Sequence, residues 1–328
     1  MFAELPALLA EKGCDRTAVF TGTGVDPEGL RHDSRVPLKG MLQAMDRAAR
    51  LLPCPHLGIA LGSRFTVGTH GVLGRLMASA PTLAAALSDF VTWQQAYSTA
   101  AVVYLNRHGE DFALGYGAYD RSSPGTRQLY DAVVAIAFRL VKELTGGSVK
   151  PVEVLMSHRR PLDVMPYHRF LGTAVRFDQE QTCIVLDARS LAQPLPGADP
   201  AAHKEAKAAI EAAVPEIFRS AAGRTRHIVR PLLHDARPRM EDAALALQVH
   251  PRTLRRKLAA EGVTFEAVRD DVRFTLAREL LEMTDLPVAS VASALAYATH
   301  GAFIDAFRRW SGTTPRRWRL EARQAMTG

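Results

Sequence analysis

Apolar residues recur at helical spacing in two stretches near the C-terminus, each followed by a short break and a second amphipathic segment. In the first, Ala243, Ala244 and Leu247 give a short helix one buried face. Gln248, Val249 and His250 interrupt it. Pro251 then suits the first turn of a new helix, where its missing N–H has no partner to lose. In that new helix Leu254 and Leu258 point inward, and Arg252, Arg255 and Arg256 share the other face. The second stretch repeats the scheme: Pro287 opens a helix buried through Val288, Val291, Ala292 and Leu295, and a turn follows over 296–299. Phe303, Phe307 and Trp310 form the core stripe of the helix after the turn. Ser311 and Gly312 stop that helix, and Pro315 prevents its resumption. Between the two stretches, Phe265–Met283 reads as one long helix with Val268, Val272, Leu276, Leu280 and Leu281 on one side.

The pattern upstream is different. Residues 1–60 read as helices broken by loops, including one over 39–52, and Gly22-Thr23-Gly24 is a turn because no phosphate-loop spacing follows. A helix follows residues 71–74, and Thr82 is an N-cap for another that runs to about Tyr97. Alternating runs at 100–106 and 112–119, separated by a gap holding Asp and Gly, predict a hairpin. Residues 126–145 are strongly helical, with Leu129, Val133, Val134, Ala137, Leu140, Val141 and Leu144 on the apolar face. Short strands at 152–156, 174–177 and 182–186, with a helix at 166–171, complete the series. Helices alternating with paired strands predict an α+β domain over residues 1–195, and the C-terminal pattern predicts an all-α domain over 224–328. The stretch 196–223 is expected as a connector: Pro-rich at first, then an Ala-rich helix over 201–218. That helix serves as connector, dimerisation element or plain packing element, and the sequence leaves the three open.

Charge sharpens this division. The chain has 328 residues and a net charge of +7. A cut before Arg224 leaves 23 basic and 22 acidic residues upstream but 18 and 12 downstream, so nearly all the excess sits in the C-terminal part. Such asymmetry suits a polyanionic partner. Cys14, Cys54 and Cys183 form no metal-like spacing, and His158 and His168 are not at a helical metal spacing. No nucleophile elbow, zinc-peptidase signature or paired-cysteine pattern occurs, so neither catalysis nor a cofactor or metal is expected. With no secretory leader pattern and no apolar run long enough to span a bilayer, the expected location is the cytoplasm, without membrane partners.

The run from Leu254 to Phe265 (Leu-Arg-Arg-Lys-Leu-Ala-Ala-Glu-Gly-Val-Thr-Phe) resembles the end of the first helix-turn-helix of AraC/XylS-type transcription regulators. The run from Ala302 to Arg319 is similar to that family's C-terminal signature. Residues 71–74, 79–87, 158–161, Phe177 and 191–196 resemble the arabinose-binding-type sensor domain found in one branch of the family. The resemblance implies a ligand-responsive regulator of bacterial type. Its two second helices would enter successive major-groove segments of double-stranded DNA, about 34 Å apart along the duplex. It also implies effector sensing, dimerisation or both, so the expected partners are DNA, a small-molecule effector of unknown identity, a second copy of the chain and RNA polymerase. Carried onto this sequence, the DNA-facing positions are Arg252, Thr253, Arg255 and Arg256 in the first motif. In the second they are Thr299, His300, Gly301, Ile304, Asp305, Arg308 and Arg309.

Two departures from the family pattern matter. Gln248 and Ala296 stand where the family usually has turn glycines, and His250 stands where a Ser-like N-cap is usual. A side chain in a left-handed turn costs about 1 kcal/mol. Asp305 occupies a position where the family most often carries a DNA-contacting Arg; a carboxylate is repelled by phosphates, though it can accept from cytosine N4. The first motif is therefore expected to supply most base readout and the second mainly phosphate contacts. Asp305 and the missing glycines also fit an alternative, a sensor or interaction protein whose DNA-binding face has decayed. For the effector, Trp93, Tyr97, Tyr104, Tyr116, Tyr130 and His158 are the candidate pocket residues, since buried Tyr and Trp pair an apolar wall with a polar tip. Ordinary core packing explains the same aromatics. Likewise His158, Arg159 and Arg160 read either as an anion site or as a solvated loop.

Overall fold

The structure, a computed structural model, describes residues 2–32, 34–52, 54–94, 101–118, 125–213, 220–235 and 238–327. The chain divides into two compact units. The first comprises Met1–Met156, Arg160–Phe177 and Gln181–Val214; the second comprises Pro215–Gly328 with two short segments, Ser157–Arg159 and Asp178–Glu180. The division thus falls inside the stretch expected as a connector.

In the first unit, helices Leu5–Glu11 (α1), Arg16–Phe20 (α2), Leu38–Leu51 (α3), Leu57–Gly62 (α4), Gly71–Ala78 (α5) and Leu83–Trp93 (α6) precede a hairpin of Ala101–His108 (β1) and Asp111–Ala118 (β2). Then come Thr126–Leu144 (α7), Glu153–Leu155 (β3), Met165–Leu171 (α8), Ala174–Arg176 (β4), Thr182–Leu186 (β5), Ala188–Leu191 (α9) and Pro200–Ala213 (α10). The five strands form one sheet in the order β1-β2-β5-β3-β4, antiparallel except for the parallel β3–β4 pair. Every residue of β5 is buried, which explains its unbroken run of small and apolar side chains. The α+β expectation holds.

Helix α7 is the spine of this unit. Gly58 and Gly62, one turn apart on α4, let that helix approach it closely. A Cβ on Gly58 would sit 2.1 Å from the Gln128 carbonyl oxygen, and one on Gly62 would sit 2.4 Å from that of Ala132. Gln128 secures the contact, accepting from Gly58 N at 2.8 Å and donating to the Pro55 carbonyl at 3.0 Å. The fully buried Asp131 lies 3.8 Å from Arg127, and burial beside Asp131 pushes the Tyr167 hydroxyl well above its ordinary range. Helix α10 packs on α5 through buried Ala206 and Ile210, and His203 meets Asp89 at 2.7 Å. Residues 200–213 therefore belong to the first unit; 214–218, the rest of the expected Ala-rich helix, lie outside the described residues.

The second unit is helical: Ala221–Asp235 (α11), Met240–Ala246 (α12), Pro251–Ala260 (α13), Phe265–Met283 (α14), Val288–Ala294 (α15), His300–Ser311 (α16) and Pro315–Thr327 (α17). One continuous core runs through it, from Val229 and Leu233 on α11 through Leu254 and Leu258 on α13 to Phe303 and Phe307 on α16, with α14 supplying Val268, Val272, Leu276, Leu280 and Leu281. Phe274 of α14 meets the rings of Phe307, Trp310 and Trp318 at centroid distances of 5.7, 5.7 and 6.3 Å. Inside this core Arg230 and Glu279 form an ion pair at 2.7 Å, with 3% and 1% of their side chains exposed. Burial and the nearby Glu282 push the Glu279 carboxyl upward. The Ser157 hydroxyl donates to the same carboxylate at 3.1 Å. Burial also holds the His227 imidazole, on α11, down to about 4.

Candidate nucleic-acid interface and ligand cavity

Helix α13 starts where Pro251 fits its first turn, and His250 caps it: Nδ1 accepts from Arg252 N at 3.2 Å. Leu254 and Leu258 are buried, which turns Arg252, Arg255 and Arg256 to solvent, while Thr253 is half-buried. Among the described residues, these three guanidinium groups have no side-chain hydrogen bond or ion pair, although the unit holds several other arginines in such pairs. A helix that keeps three adjacent arginines exposed and uncommitted is ready for an external anion or base edge.

Helix α16 is built differently. Thr299 is its N-cap, with Oγ1 accepting from Ala302 N at 3.2 Å, so that hydroxyl is already engaged. His300, Gly301, Asp305 and Arg308 are exposed, Ile304 is half-buried, and Arg309 is tied to Asp270 of α14 at 2.9 Å. Among the described residues, the second motif thus presents one arginine without a partner, Arg308, next to a carboxylate, against three on the first.

Both turns carry the strain expected of them. Gln248 and Ala296 each have φ of 54°, the left-handed region that disfavours a side chain. The Ala296 carbonyl is held by Arg273 at 3.2 Å, and the Arg273 guanidinium lies 4.5 Å from the centre of the Tyr297 ring. Gln248→Gly and Ala296→Gly should each raise the stability of the second unit by about 0.5–1 kcal/mol, since the relieved strain exceeds the added freedom of the unfolded chain. Urea unfolding checks this; a loss of stability in both variants would contradict it.

In the first unit a cavity of about 210 Å³ lies between α7 and one face of the sheet. Strand register selects that face. Val103 pairs with Tyr116, Tyr116 with Thr182 and Leu114 with Ile184, and all five side chains line the cavity. Leu129, Val133, Ile136 and Ala137 close it from α7, and Phe90 and Gln94 from the end of α6. Its polar side chains are His70, Gln94, Tyr116 and Thr182, whereas Cys183, which pairs with Gly115, turns its thiol to the opposite face. Burial holds the His70 imidazole down to about 4, and its ring sits edge-on to Phe65 at 4.6 Å and Phe90 at 5.5 Å. Burial pushes the Cys183 thiol well up, so it too is uncharged.

Of the six aromatic and histidine residues singled out from the sequence, Tyr116 is the only one among the described residues that lines this cavity. Tyr104 pairs with Gly115 rather than with Tyr116 and so points to the opposite face. Its ring occupies the space of the missing Cβ, 2.2 Å away, and its hydroxyl donates to Gln181 Oε1 at 3.1 Å. Tyr130 is fully buried behind Tyr116, ring centroids 6.1 Å apart, and Trp93 is half-buried outside the lining. Tyr97 lies outside the described residues. His158 belongs to the second unit and its Nδ1 is 2.9 Å from the Arg159 carbonyl. Arg159 is no anion site, because Asp285 Oδ1 and the carbonyls of Glu282 and Thr284 take its guanidinium at 2.7, 2.8 and 3.1 Å. Gln94 and His70 escaped sequence reading. Nothing in a linear pattern marks a polar side chain that tertiary packing will bury.

Residues 13–195 match the family model described as the arabinose-binding domain of AraC transcription regulator, N-term, and residues 243–321 match a helix-turn-helix domain. The chain belongs to the AraC-type transcription regulators. It is a ligand-responsive, DNA-binding regulator with a mixed sheet domain followed by a helical helix-turn-helix domain. The regulator is 28% identical to the ornithine utilization regulator of Pseudomonas aeruginosa over 317 residues, covering 95% of this chain and 93% of that one. It is 26% identical over 316 residues to the HTH-type transcriptional regulator VirS of Mycobacterium tuberculosis, covering 95% and 93%. Its fold is similar to the crystal structure of the transcriptional regulator CdpR from Pseudomonas aeruginosa, with a TM-score of 0.50 at 24% identity, covering 97% and 96% of the two chains. Among the described residues, no helix is long and apolar enough to cross a membrane.

Proposed function

We propose that the regulator reads its operator mainly through α13, with Arg252, Thr253, Arg255 and Arg256 at base edges and phosphates. Helix α16 anchors the complex through Arg308 and its N-terminal turn, Thr299 to Gly301. Asp305 rejects phosphate at its own position and favours cytosine. The protein acts by binding rather than by catalysis, as a homodimer on tandem half-sites. An effector in the first unit shifts how the motifs meet DNA, by no more than its difference in affinity for the two arrangements. RNA polymerase is the partner through which an activating response would pass.

The carrying observation is the set of three exposed arginines on α13 with no partner among the described residues. A bidentate arginine–guanine contact discriminates by about 1–3 kcal/mol. Arg255→Ala and Arg256→Ala should each weaken binding to the promoter DNA adjoining the regulator's own gene by about 10- to 100-fold and relax sequence preference. Arg308→Ala should weaken binding evenly across sequences and reduce the salt slope by about 1. Fluorescence anisotropy at two salt concentrations reads both effects. Specific binding that survives both α13 variants but is lost on changes within α16 would reverse the ranking, and salt-sensitive binding without sequence preference would favour a decayed DNA-binding face.

A further inference from the structure

The cavity beneath α7 has a chemical character that restricts what can fill it. Among its described lining residues none carries a formal charge, and His70, held down to about 4 by burial, is neutral near pH 7. A carboxylate buried there would find no charged side chain among the described lining residues to replace its lost hydration. A sugar would fare no better. The lining is dominated by aliphatic and aromatic side chains, so most hydroxyls of a pentose would be buried without hydrogen bonds. One group does ask for a partner: Gln94 is 7% exposed, and its Oε1 is buried with no hydrogen-bond partner among the described residues. A buried acceptor left open at the edge of an apolar cavity is costly unless a donor arrives with a ligand.

We propose that this cavity is the effector site, and that it takes an uncharged, mainly apolar small molecule donating one hydroxyl or amide N–H to Gln94 Oε1. An apolar cavity of about 150 Å³ accommodates benzene, so the volume here suits a ligand on the order of eight to ten non-hydrogen atoms. A monocyclic phenol with a short alkyl chain, or a medium-chain alcohol, has the right chemistry. The inference rests on the reading of the first unit as the sensor. It narrows that reading by placing carboxylates and sugars outside the ligand class.

The probe is 4-propylphenol, with propylbenzene, octanoate and L-arabinose as comparisons, each titrated into the full chain by calorimetry and followed by thermal shift. Saturable one-site binding of 4-propylphenol is expected, about five-fold tighter than propylbenzene, as one neutral hydrogen bond allows. Octanoate and arabinose should not bind. Gln94→Leu should remove the preference for the phenol while still binding propylbenzene, and Ala137→Phe should fill the cavity and abolish both. If Ala137→Phe fails to fold, the Gln94→Leu comparison decides alone. Saturable arabinose binding, octanoate binding tighter than the phenol, or a phenol preference that survives Gln94→Leu would overturn the proposal. The two readings fail separately. Operator binding that depends on the α13 arginines while 4-propylphenol never binds overturns the ligand class and leaves the regulator reading standing; phenol binding that never changes operator affinity overturns the effector role of this site.

Discussion

Arg230→Ala should lower the stability of the helical unit by about 3–5 kcal/mol, because it removes one partner of a buried ion pair. The two groups lie 2.7 Å apart, at 3% and 1% exposure, so water cannot stand in for the lost guanidinium. For a unit of this size that is a fall in melting temperature of roughly 15 °C or more. The double variant Arg230→Met/Glu279→Leu should recover most of the loss, since both charges leave together and apolar volume replaces them. Calorimetry of the three proteins tests the argument. An Arg230→Ala protein that melts within a few degrees of the parent would show that the pair carries little, and a double variant as unstable as the single would put the cost in packing rather than charge.

Acid should destabilise the same unit through His227. An unfolded imidazole titrates near 6.5, whereas burial holds this one down to about 4. Between those values the unfolded chain binds a proton that the folded chain refuses, so stability falls as pH drops. The contribution is fully present above about pH 6.5. It is lost progressively below that and amounts to about 3 kcal/mol once pH reaches the folded value, with about 2 kcal/mol already gone at pH 5. His227→Asn removes the titration. The difference in melting temperature between parent and variant should therefore shrink or change sign between pH 7 and pH 5, and a constant difference would remove His227 from the account. His70 titrates in the same direction in the other unit, which is why the comparison is made against a single-residue variant.

The helical unit was legible because its information is local. Leucines and valines at helical spacing delimit α14 at Phe265–Met283, Pro251 and Pro287 mark helix starts, and the left-handed turns at Gln248 and Ala296 follow from side chains standing where glycine is usual. β5 was legible too, as an unbroken buried run at Thr182–Leu186. Pairings distant in sequence were not. The place of β5 between β2 and β3 depends on contacts that no short window contains, and Arg230 and Glu279 lie on two helices whose mutual rotation decides whether they meet. The lining of the cavity was hidden for a related reason. A two-residue period places Tyr104 and Tyr116 on opposite faces, yet aromatic content alone groups them. Leu129, Val133 and Ala137 were read as core, and it is the gap they leave against Leu114, Tyr116 and Ile184 that forms the cavity.

One feature of the helical unit bears on how such a regulator can fail. The two DNA-reading motifs do not have separate cores, because α14 is a shared wall and a single apolar cluster runs from Val229 to Phe307. Melting should therefore be all-or-none across both motifs, with one calorimetric transition and matched hydrogen-exchange protection on either side of α14. A lesion in α11 would then silence α16 as completely as one within it. A molecule holding the promoter by one motif while the other hangs unfolded would not be an accessible state.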